Sequence, residues 1–164
     1  QLYNGGTAVG SPVSGTGSSI SFGTQTGAGS YSVQATNSTG CVNAMSGSAV
    51  VNVNALPVSY TVTGGGNYCA GGSGVLVGLG GSETGVSYQL YRNGTATGLP
   101  VSGSGGAVDF GSQLSAGTYT VSAVNPITGC ANNMSGSTVV GINALPVVQT
   151  VALIVQVAME CSSL

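Results

Sequence analysis

"AGTYTVSA", residues 116–123, sets the reading of this chain. Tyr119, Val121 and Ala123 alternate with Thr118, Thr120 and Ser122, the period of a half-buried β-strand. A tyrosine entering a late strand just after a glycine turn has the pattern of a tyrosine corner, a structural device of β-sandwiches. The phrase returns as "AGSYSVQA" at 28–35. The recurrence extends in both directions. Gln1, Pro12, Phe22 and Tyr31 align with Gln89, Pro100, Phe110 and Tyr119, always 88 positions apart. After a one-residue insertion near Pro126 the spacing becomes 89, pairing Cys41 with Cys130 and Met45 with Met134. "NAMSGSAVVNVNALP" (43–57) and "NNMSGSTVVGINALP" (132–146) are nearly superimposable. One unit is therefore about ninety residues, a length typical of sandwich domains.

Within a unit every periodic run alternates with period two. The runs are "VSYTVTG" (58–64), "GVLVGLG" (74–80), "GVSYQLY" (85–91), "LPVSG" (99–103), "AVDFG" (107–111), "GTYTVSAVN" (117–125) and "STVVGIN" (137–143). Each is rich in Val, Tyr and Thr and bounded by Gly, Ser or Asn. "NGG" (4–6) and "RNG" (92–94) carry the Asn-Gly signal of tight hairpins. Seven short strands at this spacing predict an all-β fold of tandem immunoglobulin-like β-sandwich repeats. The predicted division is an incomplete repeat at 1–57 that lacks its first strands, a complete repeat at 58–146, and a tail at 147–164.

Composition narrows the function classes. The 164 residues hold one basic and three acidic side chains and no His. The four charges are Arg92, Glu83, Asp109 and Glu160. General acid–base catalysis needs titratable groups held together, and no two carboxylates are close in sequence. Glu83 and Asp109 are read as turn or surface residues, and no enzyme activity or cofactor is expected. Zinc sites lack imidazoles, calcium sites lack a carboxylate cluster, and a nucleotide-binding loop lacks its lysine. Nucleic acid is not an expected partner, because neutralising phosphates takes many Lys or Arg. No run approaches the roughly 18 apolar residues of a membrane span. Charged residues are 2%, far below the roughly 25% of soluble domains. Such a surface offers little repulsion against self-association.

The phrases "YTVTGGGNYCAGGSGVLVGLGGSETGVSYQLYRNGTATG", "GTYTVSAVNPITGC" and "NNMSGSTVVGINALP" resemble the tandem Ig-like repeats of very large secreted surface proteins of Bacteroidota. The resemblance covers residues 1 to about 146. It implies secretion to the cell surface or extracellular space, with a structural or adhesive role as adhesin or fibre. It supplies no catalytic residues. In that oxidising setting disulfides are the expected state of cysteine. The complete repeat holds only Cys69 and Cys130, which are expected to pair within the domain. The alternative is a pair of buried thiols or a metal pair.

Cys41 is left without an equivalent of Cys69. The tail "VVQTVALIVQVAMECSSL" (147–164) departs from the repeat. In it Val151, Leu153, Val155, Val157 and Met159 fall on one face at period two, with Cys161 following in the same register. An alternating strand at one end and a repeat short of strands at the other predict donor-strand complementation between subunits. Such a head-to-tail contact propagates into a homopolymer. Cys41 and Cys161 are the candidate intersubunit bridge. Three alternatives stand beside it: a window of a longer tandem array completed by a preceding repeat, a non-native tail, or an amphipathic segment. Asn37, Asn93 and Asn133 open N-x-[ST] sequons and are possible glycosylation sites. The leading function is a structural subunit of an extracellular bacterial filament. The alternative is the stalk of a giant adhesin that binds a glycan or surface.

Overall fold

The computed structural model describes residues 1–149. They are all-β, with no helix among them. The chain divides into two compact units, Gln1–Leu56 and Pro57–Leu164.

The first unit has five strands: β1 (Leu2–Asn4), β2 (Thr7–Val9), β3 (Gly29–Thr36), β4 (Val42–Ala44) and β5 (Ala49–Val51). They form one antiparallel sheet in the order β2-β1-β3-β4, with β5 also on β3. Leu2 and Tyr31 are its buried apolar side chains.

The second unit has ten: β6 (Val62–Gly64), β7 (Gly66–Cys69), β8 (Val75–Leu79), β9 (Ser87–Arg92), β10 (Thr95–Ala96), β11 (Val101–Ser102), β12 (Val108–Gln113), β13 (Gly117–Val124), β14 (Ala131–Asn133) and β15 (Thr138–Asn143). One sheet runs β12-β8-β6, and the other β10-β9-β13-β15-β7. Their inner faces share one core. Val62, Val77, Leu79 and Val108 come from the smaller sheet, and Tyr88, Leu90, Tyr119, Val121, Ala123 and Val140 from the larger. This is a β-sandwich-like arrangement, built by the alternation visible in each strand.

The crossover between sheets is made by glycine. β6 pairs antiparallel with β8, whereas β7 pairs parallel with β15. Gly64 and Gly65 turn the chain at φ +84° and +78°. A Cβ on Gly65 would collide with the Thr138 hydroxyl, so the strand switch leaves no room for a side chain there.

Both units carry the tyrosine corner. The Tyr119 hydroxyl donates to Ser115 O at 2.7 Å, and the Tyr31 hydroxyl to Gly27 O at 2.8 Å. Turn chemistry also repeats: Asn93 and Gly94 both have positive φ between β9 and β10, as do Gly5 and Gly6 between β1 and β2. These are the two positions at which a tight hairpin demands it. The same glutamine braces each hairpin. Gln89 Nε2 donates to Thr97 O at 3.0 Å, and Gln1 Nε2 to Val9 O at 2.9 Å.

Burial of Tyr88 and Tyr119 also sets an alkaline limit. Desolvation holds both phenols above their ordinary value of about 10, for Tyr119 partly offset by the nearby Arg92 guanidinium. The folded state keeps these protons to higher pH than the unfolded chain does. Their contribution to stability is whole below about pH 10 and is lost as pH rises through the raised values. Denaturant titrations at pH 8 and pH 11 are expected to show a lower midpoint at the higher pH, with Tyr88→Phe reducing the difference.

Candidate strand-acceptor site

The two units differ where the smaller sheet of the second would lie. In the second unit β12 forms ladder bonds with β8 alone. Its counterpart in the first unit, residues 20–25, is not in a strand. Yet its local geometry is that of β12. Gln25 Nε2 donates to Phe22 O at 2.9 Å, as Gln113 Nε2 does to Phe110 O at 2.9 Å. Gly23 N donates to Ser21 Oγ at 3.1 Å, as Gly111 N does to Asp109 Oδ1 at 2.7 Å. Gly23 has φ +75° and Gly111 +77°. The latter sits in the bulge between Asp109 and Ser112 that shifts the β12–β8 register. The bulge is therefore shaped in both units, but among the described residues only that of the second unit has a strand against it.

The neighbouring side chains follow the same division. Met134 is 6% exposed, its sulfur accepting from Tyr60 N at 3.4 Å just ahead of β6, whereas Met45 is 44% exposed. Val121 and Val140 are fully buried, while their counterparts Val33 and Val51 are half-buried. Two adjoining grooves of about 380 and 460 Å³ follow this face, both lined by Phe22, Val33 and Met45. The second edge is β5, whose counterpart β15 carries β7 in parallel. The first unit thus presents a largely apolar trough between the segment 20–25 and the strand edge of β5. No acidic or basic side chain lines it, so its chemistry is hydrogen-bonding backbone and apolar burial.

The cysteines do not follow the sequence expectation. Cys69 ends β7 beside Asn143 of β15, at the end of the sheet where β13 begins. Cys130 lies opposite Asn125, beyond the other end of β13. The strand rise puts them roughly 35 Å apart, whereas a disulfide needs Cα atoms within about 7 Å. The expected Cys69–Cys130 bridge is therefore excluded by register. The reason is the sheet switch at Gly64–Gly65, which carries β7 parallel to β15 and away from the β13–β14 turn. Cys69 and Cys41 are exposed thiols. Cys161 and the donor positions Val151, Leu153, Val155, Val157 and Met159 lie outside the described residues.

The remaining sites named from the sequence are spread over the surface. Asn37 is exposed in a turn, its Oδ1 accepting from Cys41 N at 2.9 Å. Asn93 Oδ1 accepts from Thr118 N at 2.9 Å, and Asn133 is exposed in β14. Glu83 Oε2 accepts from Val58 N at 2.7 Å, and Asp109 is occupied by Gly111, so each carboxylate braces local backbone. Among the described residues no three metal-ligating side chains cluster, and no helix is long and apolar enough to cross a membrane. Sequence reading did not single out residues 20–25. The signal was present in the repeat alignment, since Phe22 aligns with Phe110 while β8 has no counterpart among residues 1–19. No protein-family model matches this chain, and no curated protein matches it either.

Proposed function

We propose that the protein is a structural subunit of an extracellular bacterial filament, assembled head to tail by strand complementation between Ig-like repeats. The observation that carries this reading is the bulged edge at residues 20–25, which holds the hydrogen bonds of β12 without a ladder partner. The exposed Met45 face beside it supports the same reading, because burying such a face is the ordinary driving force for strand capture. The alternating segment 151–159 of a neighbouring copy is the donor. Its apolar face suits the trough, and a surface with so few charges places little repulsion between copies. A contact between one copy's tail and the next copy's first unit does not close on itself, so it grows into a thread. Export to the cell surface follows from the resemblance of the repeats to secreted Bacteroidota proteins.

A second reading is favoured by one observation. In the second unit β6, β7 and β8 immediately precede β9 in the chain. Equivalent strands from a preceding repeat would complete the first unit in the same way, giving the stalk of a giant adhesin. Electron microscopy and sedimentation of the 164-residue chain and of a truncation at Gln149 separate the two. The filament reading expects threads from the full chain and monomers from the truncation. Identical behaviour of both chains, with no threads, favours the stalk.

A further inference from the structure

Resting on the donor-strand reading, we infer where the donor enters: residues 146–149 of one copy seat on residues 43–46 of the next, as residues 57–60 seat on 132–135 within the second unit. The template is a run of hydrogen bonds. Asn132 Nδ2 donates to Pro57 O at 2.8 Å, and Ser59 Oγ donates to Asn133 O at 3.1 Å. Tyr60 N donates to Met134 Sδ at 3.4 Å, and Ser135 N donates to Tyr60 O at 2.8 Å. The segment thus enters its unit beside β14 and leads into β6.

Both halves of this contact recur in the chain, apart from each other. "NALPV" (54–58), which opens the template segment, returns unchanged at 143–147. Among the described residues nothing covers the second copy: Leu145, Val147 and Val148 are 61, 81 and 92% exposed. "NNMS" (132–135) returns as "NAMS" (43–46). Its backbone is already set, since Met45 N donates to Val33 O at 2.8 Å as Met134 N does to Val121 O at 2.9 Å. Asn43, Met45 and Ser46 are all exposed, and the Asn43 side chain has no hydrogen-bond partner among the described residues. One copy therefore shows a seat without its segment and a segment without its seat.

Carried over by the repeat spacing, Asn43 Nδ2 of one copy donates to Pro146 O of the other, and Ser46 N donates to Gln149 O. Met45 Sδ accepts from Gln149 N. Of the template's bonds only that of Ser59 is lost, because Val148 stands in its place. Two template features have no counterpart in residues 1–56. Glu83 Oε2 accepts from Val58 N at 2.7 Å, and the Tyr60 ring covers Gly81. With no such surface to cover, Gln149 replaces Tyr60 without leaving a partner bare, and the Val147 amide stays with water. Four residues bury far less than the roughly 1,200 Å² of a stable interface. The clamp therefore sets the point of entry, and a chain ending at Gln149 remains monomeric.

Disulfide trapping in the full chain tests the placement, with Cys41, Cys69, Cys130 and Cys161 replaced by Ser. Ser59→Cys with Asn133→Cys calibrates the geometry by closing within one chain. The matching pair, Ala44→Cys with Val148→Cys, should oxidise into intermolecular ladders. It should do so at least about tenfold faster than Val42→Cys with Val148→Cys, because a disulfide tolerates little offset. A ladder fastest for the Val42 pair, or threads that the Ala44 pair does not cross-link, overturns the placement while leaving strand exchange standing. A matching bridge closed within one chain overturns exchange between copies. No ladder from any pair, with no threads from the unmodified protein, overturns both. Asn43→Ala provides an independent check. It should raise the concentration at which threads form about fivefold, the worth of one net hydrogen bond, and leave the urea midpoint of the dispersed chain unchanged. An unchanged threading concentration overturns the clamp.

Discussion

Met134→Ala is expected to lower the unfolding free energy of the second unit by about 2–5 kcal/mol, the range for emptying a buried methionine site. Met45→Ala in dispersed protein should change stability by no more than about 0.5 kcal/mol. The two residues occupy the same place in their repeats, so the difference isolates the strands laid over them. Met134 is 6% exposed beside Tyr60, just ahead of β6, whereas Met45 is 44% exposed, so its truncation removes far less buried surface. Urea titrations of the dispersed chain, followed by circular dichroism, measure both. In threads the asymmetry should shrink, because a captured strand would lie against the face that Met45 lines. Equal costs in the dispersed chain would mean that the first unit closes its face by another route.

Val33→Asp should abolish thread formation while leaving the second unit's unfolding midpoint unchanged. Val33 lines both grooves and corresponds to Val121, which is 2% exposed in the closed core. In the dispersed chain an aspartate there stays in contact with water. Capture of a donor strand would bury it without a partner, at a cost of at least about 3 kcal/mol. That is more than a hundredfold in the association constant. Val13→Asp, at the rim of one groove, is the control and should weaken assembly far less. Sedimentation velocity across a concentration series measures the effect.

The sheets were legible because alternation survives in each long strand. β8, β9, β12, β13 and β15 all fall within a residue or two of the runs seen in the sequence. The tyrosine corners were legible for the same reason, since a glycine followed two residues later by an inward tyrosine has few other uses. What was hidden depended on partners rather than on pattern. β7 lies in "GGGNYCAGG", which reads as loop because its ladder comes from a distant parallel strand. β14 is a short polar strand held by pairing with β13 and by hydrogen bonds to Pro57 and Ser59. The cysteine pairing failed on the same point: the sheet switch that separates Cys69 from Cys130 is a consequence of register, and no count of residues reveals it. Residues 20–25 give the opposite lesson. Their sequence and their local hydrogen bonds match a strand, and they are not one, because a strand edge requires something to pair with.

Amide hydrogen exchange along residues 20–25, compared between threads and dispersed protein, addresses strand capture at this edge most directly. Fast exchange in the dispersed chain and strong protection in threads, alternating with the ladder bonds of an antiparallel partner, is the expected result. Threads in which these amides exchange as fast as in the dispersed chain would contradict it, since subunits would then be joined by a surface other than this edge.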